Sequence, residues 1–396
     1  MCTARHLARA QFVFALGVAL SSAMLGLGCS ADRVLVPSDG EVSLEDLSLI
    51  GQPTPIDFDT YDKSRQVVHP SAVAFTQPWH GQRFWLALTP YPNSDSHVEN
   101  PSVFGSTTGD AWSVPSGLVN PVAQTTRGYL SDPELAYDPA SDELRLYYRE
   151  VVEVRHKHHK PDHKADVVYL TRSTDGVHWS PATAITNDIG HFVVSPTVAR
   201  RADRDWKMWA VDAGNAGCVS KSTRIILRRS VDGLIWSSAT SVAFAQPGYL
   251  PWHLDVQYVP ELGAYWALVA AYPVGSSCTG SSLFVATSTD GEHWTTFASP
   301  LLARGTIPQF STNVYRSTFA FEPNGNDVTI WLTGATTVKP GDHRRPPVLR
   351  WSAAVWHTRA DALLEHVRTP LRVALPAPTD SEPSFLRRLA TENALP

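Results

Sequence analysis

Two interleaved sets of polar residues recur along this chain. The first is His69, Asp132, Ser195, His253 and Ser311, spaced 63, 63, 58 and 58 residues apart, and the second is Ser71, Glu134, Thr197, Asp255 and Asn313, each two positions later. Residues two apart on an extended strand face the same side, so strands gathered about an axis would turn these sets into two polar rings. Carboxylates held together in such rings can do general acid–base hydrolysis, one kept protonated as the acid and the other ionised as base or nucleophile. Asp132 paired with Asp255 or Glu150 is the expected catalytic pair, with His69 or His253 tuning or replacing the acid. Glu134, Asp95, His97, Glu99, Asn100, Arg149, Asp212, Asn313 and Arg316 are expected to bind substrate, with Tyr91, Trp252 and Tyr272 as rings on which a sugar could stack. Oxygen ligands from Asp132, Glu134, Asp255 and Asn313 would also suit a calcium ion in the channel, although no continuous ion-binding motif is present. The His-rich stretch Arg155 to Lys164 reads instead as a solvated basic loop, because its own Lys and Arg would repel a cation.

The elements that must position these residues are set by a second repeat. Ser106-Thr-Thr-Gly109-Asp-Ala-Trp112, Ser173-Thr-Asp-Gly176-Val-His-Trp179, Ser230-Val-Asp-Gly233-Leu-Ile-Trp236 and Ser288-Thr-Asp-Gly291-Glu-His-Trp294 share one S-x-x-G-x-x-W frame. Each follows or adjoins an apolar stretch, and Asp-Gly suits a tight turn that needs positive φ. The frame therefore predicts a strand, a turn and a strand opened by Trp. Apolar runs such as RFWLALT, LRLYYRE, WKMWAVD, YWALVAA and VTIWLTG supply a further strand in each of five units of about 60 residues. Short strands at fixed period predict an all-β, five-bladed β-propeller over residues 58–370, with a helical period only near Ala360 to Val367. A pair of β-sandwich domains is the rival arrangement, which regular turns and tryptophans disfavour. Asp175, Asp232 and Asp290 are expected to hold their turns rather than to do chemistry.

Outside the repeat, Arg5, His6 and Arg9 precede an apolar run from Phe12 to Leu27 and then Gly28-Cys29. Residues 1–29 read as an export signal, 30–57 as a tether and 371–396 as a C-terminal tail. The segment before Cys29 resembles the lipobox of bacterial lipoproteins, which implies lipidation at Cys29 and a place in the bacterial cell envelope, in periplasm or outer membrane; plain secretion is the alternative. Cys218 and Cys278 then remain in the folded body, at equivalent loops of neighbouring units, where a disulfide is expected over two free thiols. A formal charge of -5 gives no electrostatic footprint for nucleic acid, and 43% apolar residues with 13 Trp exclude bulk disorder. A monomer is expected, held to a membrane through its lipid.

The Ser-x-Asp-Gly-x-x-Trp frame is similar to the Asp-box of sialidases, but it is one residue shorter between Asp and Gly. It resembles more closely the turns of the five-bladed arabinanase, levansucrase and invertase superfamily, over most of residues 60–360. The stretches HPSAVAF, SDPELAYDP and LRLYYRE look most like an uncharacterised group of bacterial and phage propellers. The enzymes of that superfamily place an Asp base on blade one, a modulating Asp on blade two and a Glu acid on blade three. This chain matches only the second, as Asp132; His69 and Ser195 stand where the others would be. The resemblance implies a glycoside hydrolase acting on a polysaccharide or oligosaccharide. A non-catalytic glycan-binding propeller and a structural propeller lipoprotein are the alternatives.

Overall fold

A computed structural model of the chain describes residues 50–154, 163–339 and 347–368. The export signal with Cys29, most of the expected tether, the core of the basic loop and the C-terminal tail lie outside them. Among the described residues no helix is long and apolar enough to cross a membrane.

The strands form five separate antiparallel sheets, four of them built from one sequence unit each and the fifth from the last unit together with a strand from before the first. Blade one runs Val67–Trp79, Gln82–Pro90 and Ser102–Ser106, and blade two runs Gly128–Asp138, Glu143–Val154, His163–Ser173 and Thr183–Ile189. Blade three starts at Val193–Ala202, blade four at Tyr249–Val259, and blade five at the two short strands Asn313–Val314 and Thr318–Phe321. Blade five is completed by Asp327–Val338, Val348–Arg359 and, on its outside, Thr54–Ile56, whose register pairs Thr54 with Val355. The end of the expected tether is thus a strand of the last blade, and it draws the start of the described chain onto its end. The helix Ala360–Arg368 follows, burying Leu363 and Val367.

The S-x-x-G-x-x-W turns interlock neighbouring blades. In blade four, Ser288 Oγ accepts from Gly291 N, while Asp290 Oδ1 accepts from the backbone amides of Glu292 and His293. Trp209, on the second strand of blade three, donates its indole N–H to Gly291 O at 2.8 Å. Trp331 of blade five does the same to Gly109 O of blade one, and the Tyr147 hydroxyl of blade two to Gly233 O of blade three. Gly291 has φ +76, and a Cβ there would come 2.6 Å from the Trp209 ring, so both conformation and close approach require glycine. The aspartates of these frames are turn residues, as their type and position suggest.

Cys218 and Cys278 form a disulfide between the top loops of blades three and four, across a sequence separation of 60. Closing a loop of that length removes unfolded-state entropy worth roughly 4 kcal/mol. The double variant Cys218→Ser/Cys278→Ser is expected to lose stability of that order in a denaturant titration; a midpoint equal to the native one would show that the covalent link adds nothing to blade packing.

Candidate functional site

The five innermost strands surround the axis, and each carries one extra residue at the same level. In blade one the register passes from Val68 opposite Thr89 to Ser71 opposite Ala87, in blade two from Ser131 opposite Arg149 to Glu134 opposite Tyr147. Blades three and four shift likewise at Ser195 and at Trp252, and in blade five the strand is interrupted between Val314 and Thr318. Such bulges re-aim side chains. At this level His69, Asp132 and Ser195 have φ of 56, 50 and 57, and each precedes a proline. Non-glycine residues in this region cost energy that surrounding structure must over-determine, a condition concentrated at functional sites.

The lower ring is a closed hydrogen-bonded circuit. Ser71 Oγ accepts from Leu135 N, Glu134 Oε1 from Val198 N, Thr197 Oγ1 from Val256 N, and Thr318 Oγ1 from Ala72 N while donating to Asp255 Oδ2. The fifth member is Thr318, and Arg316 is the corresponding residue of the upper ring. The sequence phase that put Ser311 and Asn313 in the rings is off by five residues. Ser311 is exposed and shares a hydrogen bond with Thr336, and Asn313 is buried against Ser281. The displacement arises because blade five breaks its inner strand into two pieces, and the expected spacing followed the first piece.

Arg316 is fully buried and reaches down between the levels. It donates to Glu134 Oε2 at 2.5 Å and to Pro133 O at 3.1 Å, and lies 3.7 Å from Asp255 Oδ1. Burial pushes the Glu134 carboxyl up and that of Asp255 well up, with the Glu134 charge adding to the latter. Asp255 and Glu134 therefore belong to a buried Arg–carboxylate plug, which corrects both the catalytic pairing of Asp255 with Asp132 and the calcium set. Glu150 is corrected as well. Strand alternation aims Arg149 at the axis and Glu150 away from it, where Glu150 accepts from Thr125 and Arg127 and lines a separate cavity of about 440 Å³ with Tyr148 and Tyr169.

At the upper level His69, Asp132 and His253 converge, all three buried, each offering a ligand atom within 4.8 Å of the others. His69 Nε2 lies 3.5 Å and His253 Nδ1 3.2 Å from Asp132 Oδ1. Asp132 Oδ1 is the shared neighbour of both imidazoles, and none of the three atoms has a well-aligned hydrogen bond. They lie close enough together to share one cation. Buried polar atoms are nearly always paired, so three converging orphans mark a missing partner. Two imidazoles and a carboxylate suit zinc or another transition metal better than calcium, which prefers oxygen ligands.

The surroundings orient Asp132 and His69 as metal ligands are usually oriented, while His253 is held by ring packing against Tyr315 and Trp252. Arg149 donates from Nε to Asp132 Oδ2 at 2.8 Å and from Nη1 to Asp166 Oδ1 at 3.1 Å, leaving Asp132 Oδ1 free. Burial would raise the Asp132 carboxyl, but the positive charge that can gather around it outweighs burial and holds it well below the usual carboxylate range; with the imidazoles neutral, that charge is the Arg149 guanidinium. Burial lowers both imidazoles, that of His69 strongly, which keeps them neutral and able to bind a cation. The other nitrogen of His69 meets Thr89 Oγ1 at 3.3 Å, Ser131 Oγ at 3.4 Å and Glu99 Oε2 at 3.6 Å. Glu99 accepts from Ser131 Oγ at 2.6 Å, and burial pushes its carboxyl up to about 8. A carboxyl so placed can exchange protons near neutral pH.

The remaining expected site residues divide sharply. Asn100 donates to the Tyr61 hydroxyl, and His97 and Asp95 pair on the exposed loop above blade one. Asp212 holds His191 and Arg224 on blade three. Tyr91, Trp252 and Tyr272 are buried and offer no open face to a sugar: Tyr91 packs on Trp351, and the Tyr272 hydroxyl donates to Ser220 O. Missed in the sequence are Thr89, Ser131, Asp166 and above all Tyr315, whose ring lies 4.4 Å from that of His253 and 5.3 Å from that of His69. A correct phase in blade five would have placed Tyr315 directly before the upper-ring Arg316.

No protein-family model matches the chain. A curated A type blood N-acetyl-alpha-D-galactosamine deacetylase from Flavonifractor plautii is 29% identical over 317 residues, covering 68% of this chain and 39% of that protein. The chain thus spans about two fifths of that relative's length. The crystal structure of an N-acetylgalactosamine deacetylase from F. plautii, in complex with blood group B trisaccharide, superposes with TM-score 0.70 at 24% identity, over 80% of this chain and 97% of that one. A GH32 beta-fructofuranosidase from Bombyx mori superposes with TM-score 0.50 at 12% identity, over 78% and 63% of the two chains. The chain has the β-propeller fold that these structures share.

Proposed function

We propose that this chain is a metal-dependent amidohydrolase that removes the acetyl group from an N-acetylhexosamine residue of a glycan. The observation that carries the reading is the convergence of three buried, unpartnered ligand atoms on His69, Asp132 and His253. The likeness to a deacetylase supports an N-acetyl sugar as substrate and not a glycosidic bond. That Asp255 lies against Arg316 and Glu150 accepts from Arg127 supports the same choice.

The reaction adds water to the amide carbonyl carbon and breaks the C–N bond; the amide and one water together give an ammonium sugar and acetate. A bound divalent ion would supply Lewis acidity to the carbonyl and acidity to water. Arg149 fixes Asp132, and Thr89, Ser131 and Glu99 fix the tautomer and tilt of His69. Glu99 lies behind His69, against the nitrogen that faces away from Asp132, and accepts from Ser131 there.

The test incubates purified protein, after chelation and after reloading with zinc or manganese, with oligosaccharides ending in N-acetylgalactosamine or N-acetylglucosamine. Acetate release that chelation removes and metal restores is the expected result. Release of free sugar without acetate, or acetate release indifferent to metal, would sink the proposal.

A further inference from the structure

The buried residue beside the metal-type cluster that the mechanism above leaves unused is Tyr315. Its ring packs against both imidazoles, and against Trp351 at a centroid distance of 4.9 Å. Its hydroxyl oxygen is already committed on one side, accepting the indole N–H of Trp252 at 3.1 Å. Trp252 is in turn held edge-on against His253, at 5.4 Å between centroids. An indole nitrogen can only donate, so the Tyr315 oxygen must act here as acceptor, and its own proton is left to point elsewhere. Among the described residues no acceptor takes that proton. A buried hydroxyl proton without an acceptor costs free energy unless something else arrives to receive it.

Building on the amidohydrolase reading, we infer that Tyr315 is a catalytic residue whose hydroxyl donates a hydrogen bond to the carbonyl oxygen of the substrate amide as that oxygen becomes an oxyanion, with Trp252 as the positioning residue that aims and polarises it. Three features make the geometry suited to this. The phenol keeps its proton at neutral pH, so it is a donor and not a competing anion. The Trp252 hydrogen bond withdraws electron density from the phenol oxygen and strengthens the outgoing bond, since hydrogen bonds in a chain polarise one another. The packing between His69, His253 and Trp351 leaves the ring little freedom, so the donor is in place before charge develops, which is what makes such donors effective. The step itself forms the C–O bond from water, shifts the carbonyl π pair onto oxygen beneath the Tyr315 O–H, and returns that pair to carbon as the C–N bond breaks, both protons of the water finishing on the nitrogen, which leaves as an ammonium, with acetate as the other product. Tyr315 ends with the proton it began with.

Donors of this kind are worth about 10²- to 10³-fold in kcat when removed. Tyr315→Phe keeps the ring and its packing and deletes only the hydroxyl. The expected result, with zinc-loaded protein and an N-acetylhexosamine glycoside, is a fall in kcat of roughly that size, with KM and bound zinc unchanged. Trp252→Phe should lower kcat by a smaller factor, because it leaves the donor and removes only its support. A second substrate separates catalysis from architecture. An N-trifluoroacetyl analogue carries an intrinsically more stable oxyanion, so Tyr315→Phe should cost it markedly less than it costs the acetyl substrate. Equal losses on the two substrates, or loss of bound zinc in Tyr315→Phe, would assign Tyr315 a structural role and overturn the inference. Full acetyl activity in Tyr315→Phe would do so too. If the native protein itself releases no acetate, it is the amidohydrolase reading that fails, an outcome distinct from a native enzyme that tolerates the variant.

Discussion

Asp132→Asn is expected to abolish deacetylation while leaving the propeller folded. Asn keeps the shape of the side chain and one oxygen, but loses the negative charge on which both imidazoles and Arg149 converge. A cation at this point would then sit beside two neutral imidazoles and a guanidinium, with no anion to offset it. Metal occupancy should collapse, and with it several kcal/mol of transition-state stabilisation, which at about 1.4 kcal/mol per tenfold is a thousandfold or more in rate. Isothermal titration with zinc and an acetate-release assay read the two effects separately, and a thermal melt checks the fold. Arg149→Met should be milder, about 10- to 100-fold in affinity or rate, because it touches the cluster only through Asp132. Zinc affinity in Asp132→Asn equal to the native value would mean that the three side chains converge for another reason, and the functional reading would fall with it.

Much of this site was legible in the sequence, and the part that was not failed for identifiable reasons. The repeat placed His69, Asp132 and His253 at one level of one channel, because strand period and turn chemistry act locally and are written in every unit. The Asp-Gly turns and the disulfide were visible on the same grounds. What local pattern could not show was the extra residue in each inner strand. That bulge turns His69, Asp132 and Ser195 into the left-handed region and decides which polar side chains share a level. In blade five the interruption hid Tyr315 and Arg316 behind Ser311 and Asn313. Chemical role was harder still. The residue types allow a glycosidase pair, yet whether Asp255 is a catalytic acid or the partner of a buried arginine depends on one long side chain reaching across the channel. For Glu150 the reason is simpler, since adjacent residues on a strand cannot both face the axis and Arg149 does.

That arginine carries the second large expected effect. Arg316 is the guanidinium within salt-bridge reach of both Glu134 and Asp255, in a ring whose other members are neutral hydroxyls. Arg316→Met preserves much of the volume and removes the charge, leaving two buried carboxyls without compensation. Breaking one side of a buried ion pair costs about 3–5 kcal/mol. The loss should grow with pH, and the sign follows from the directions of the shifts. Both carboxyls are raised in the folded protein, so each binds its proton more tightly folded than unfolded. Their stabilising contribution is present in acid and is lost as pH rises from the ordinary carboxylate range through the folded values. Without Arg316 those values rise further, and denaturant midpoints of native and variant should diverge as pH rises above the ordinary carboxylate range. The double variant Arg316→Met/Glu134→Gln tests the cause. Removing the Glu134 charge leaves Asp255 free to stay protonated, so stability should recover by a large part of the loss and its pH dependence should flatten. A double variant as unstable as the single one would instead place the cost in lost packing and in the unpaired Pro133 carbonyl, and the ring would be held by its hydroxyls and backbone amides alone.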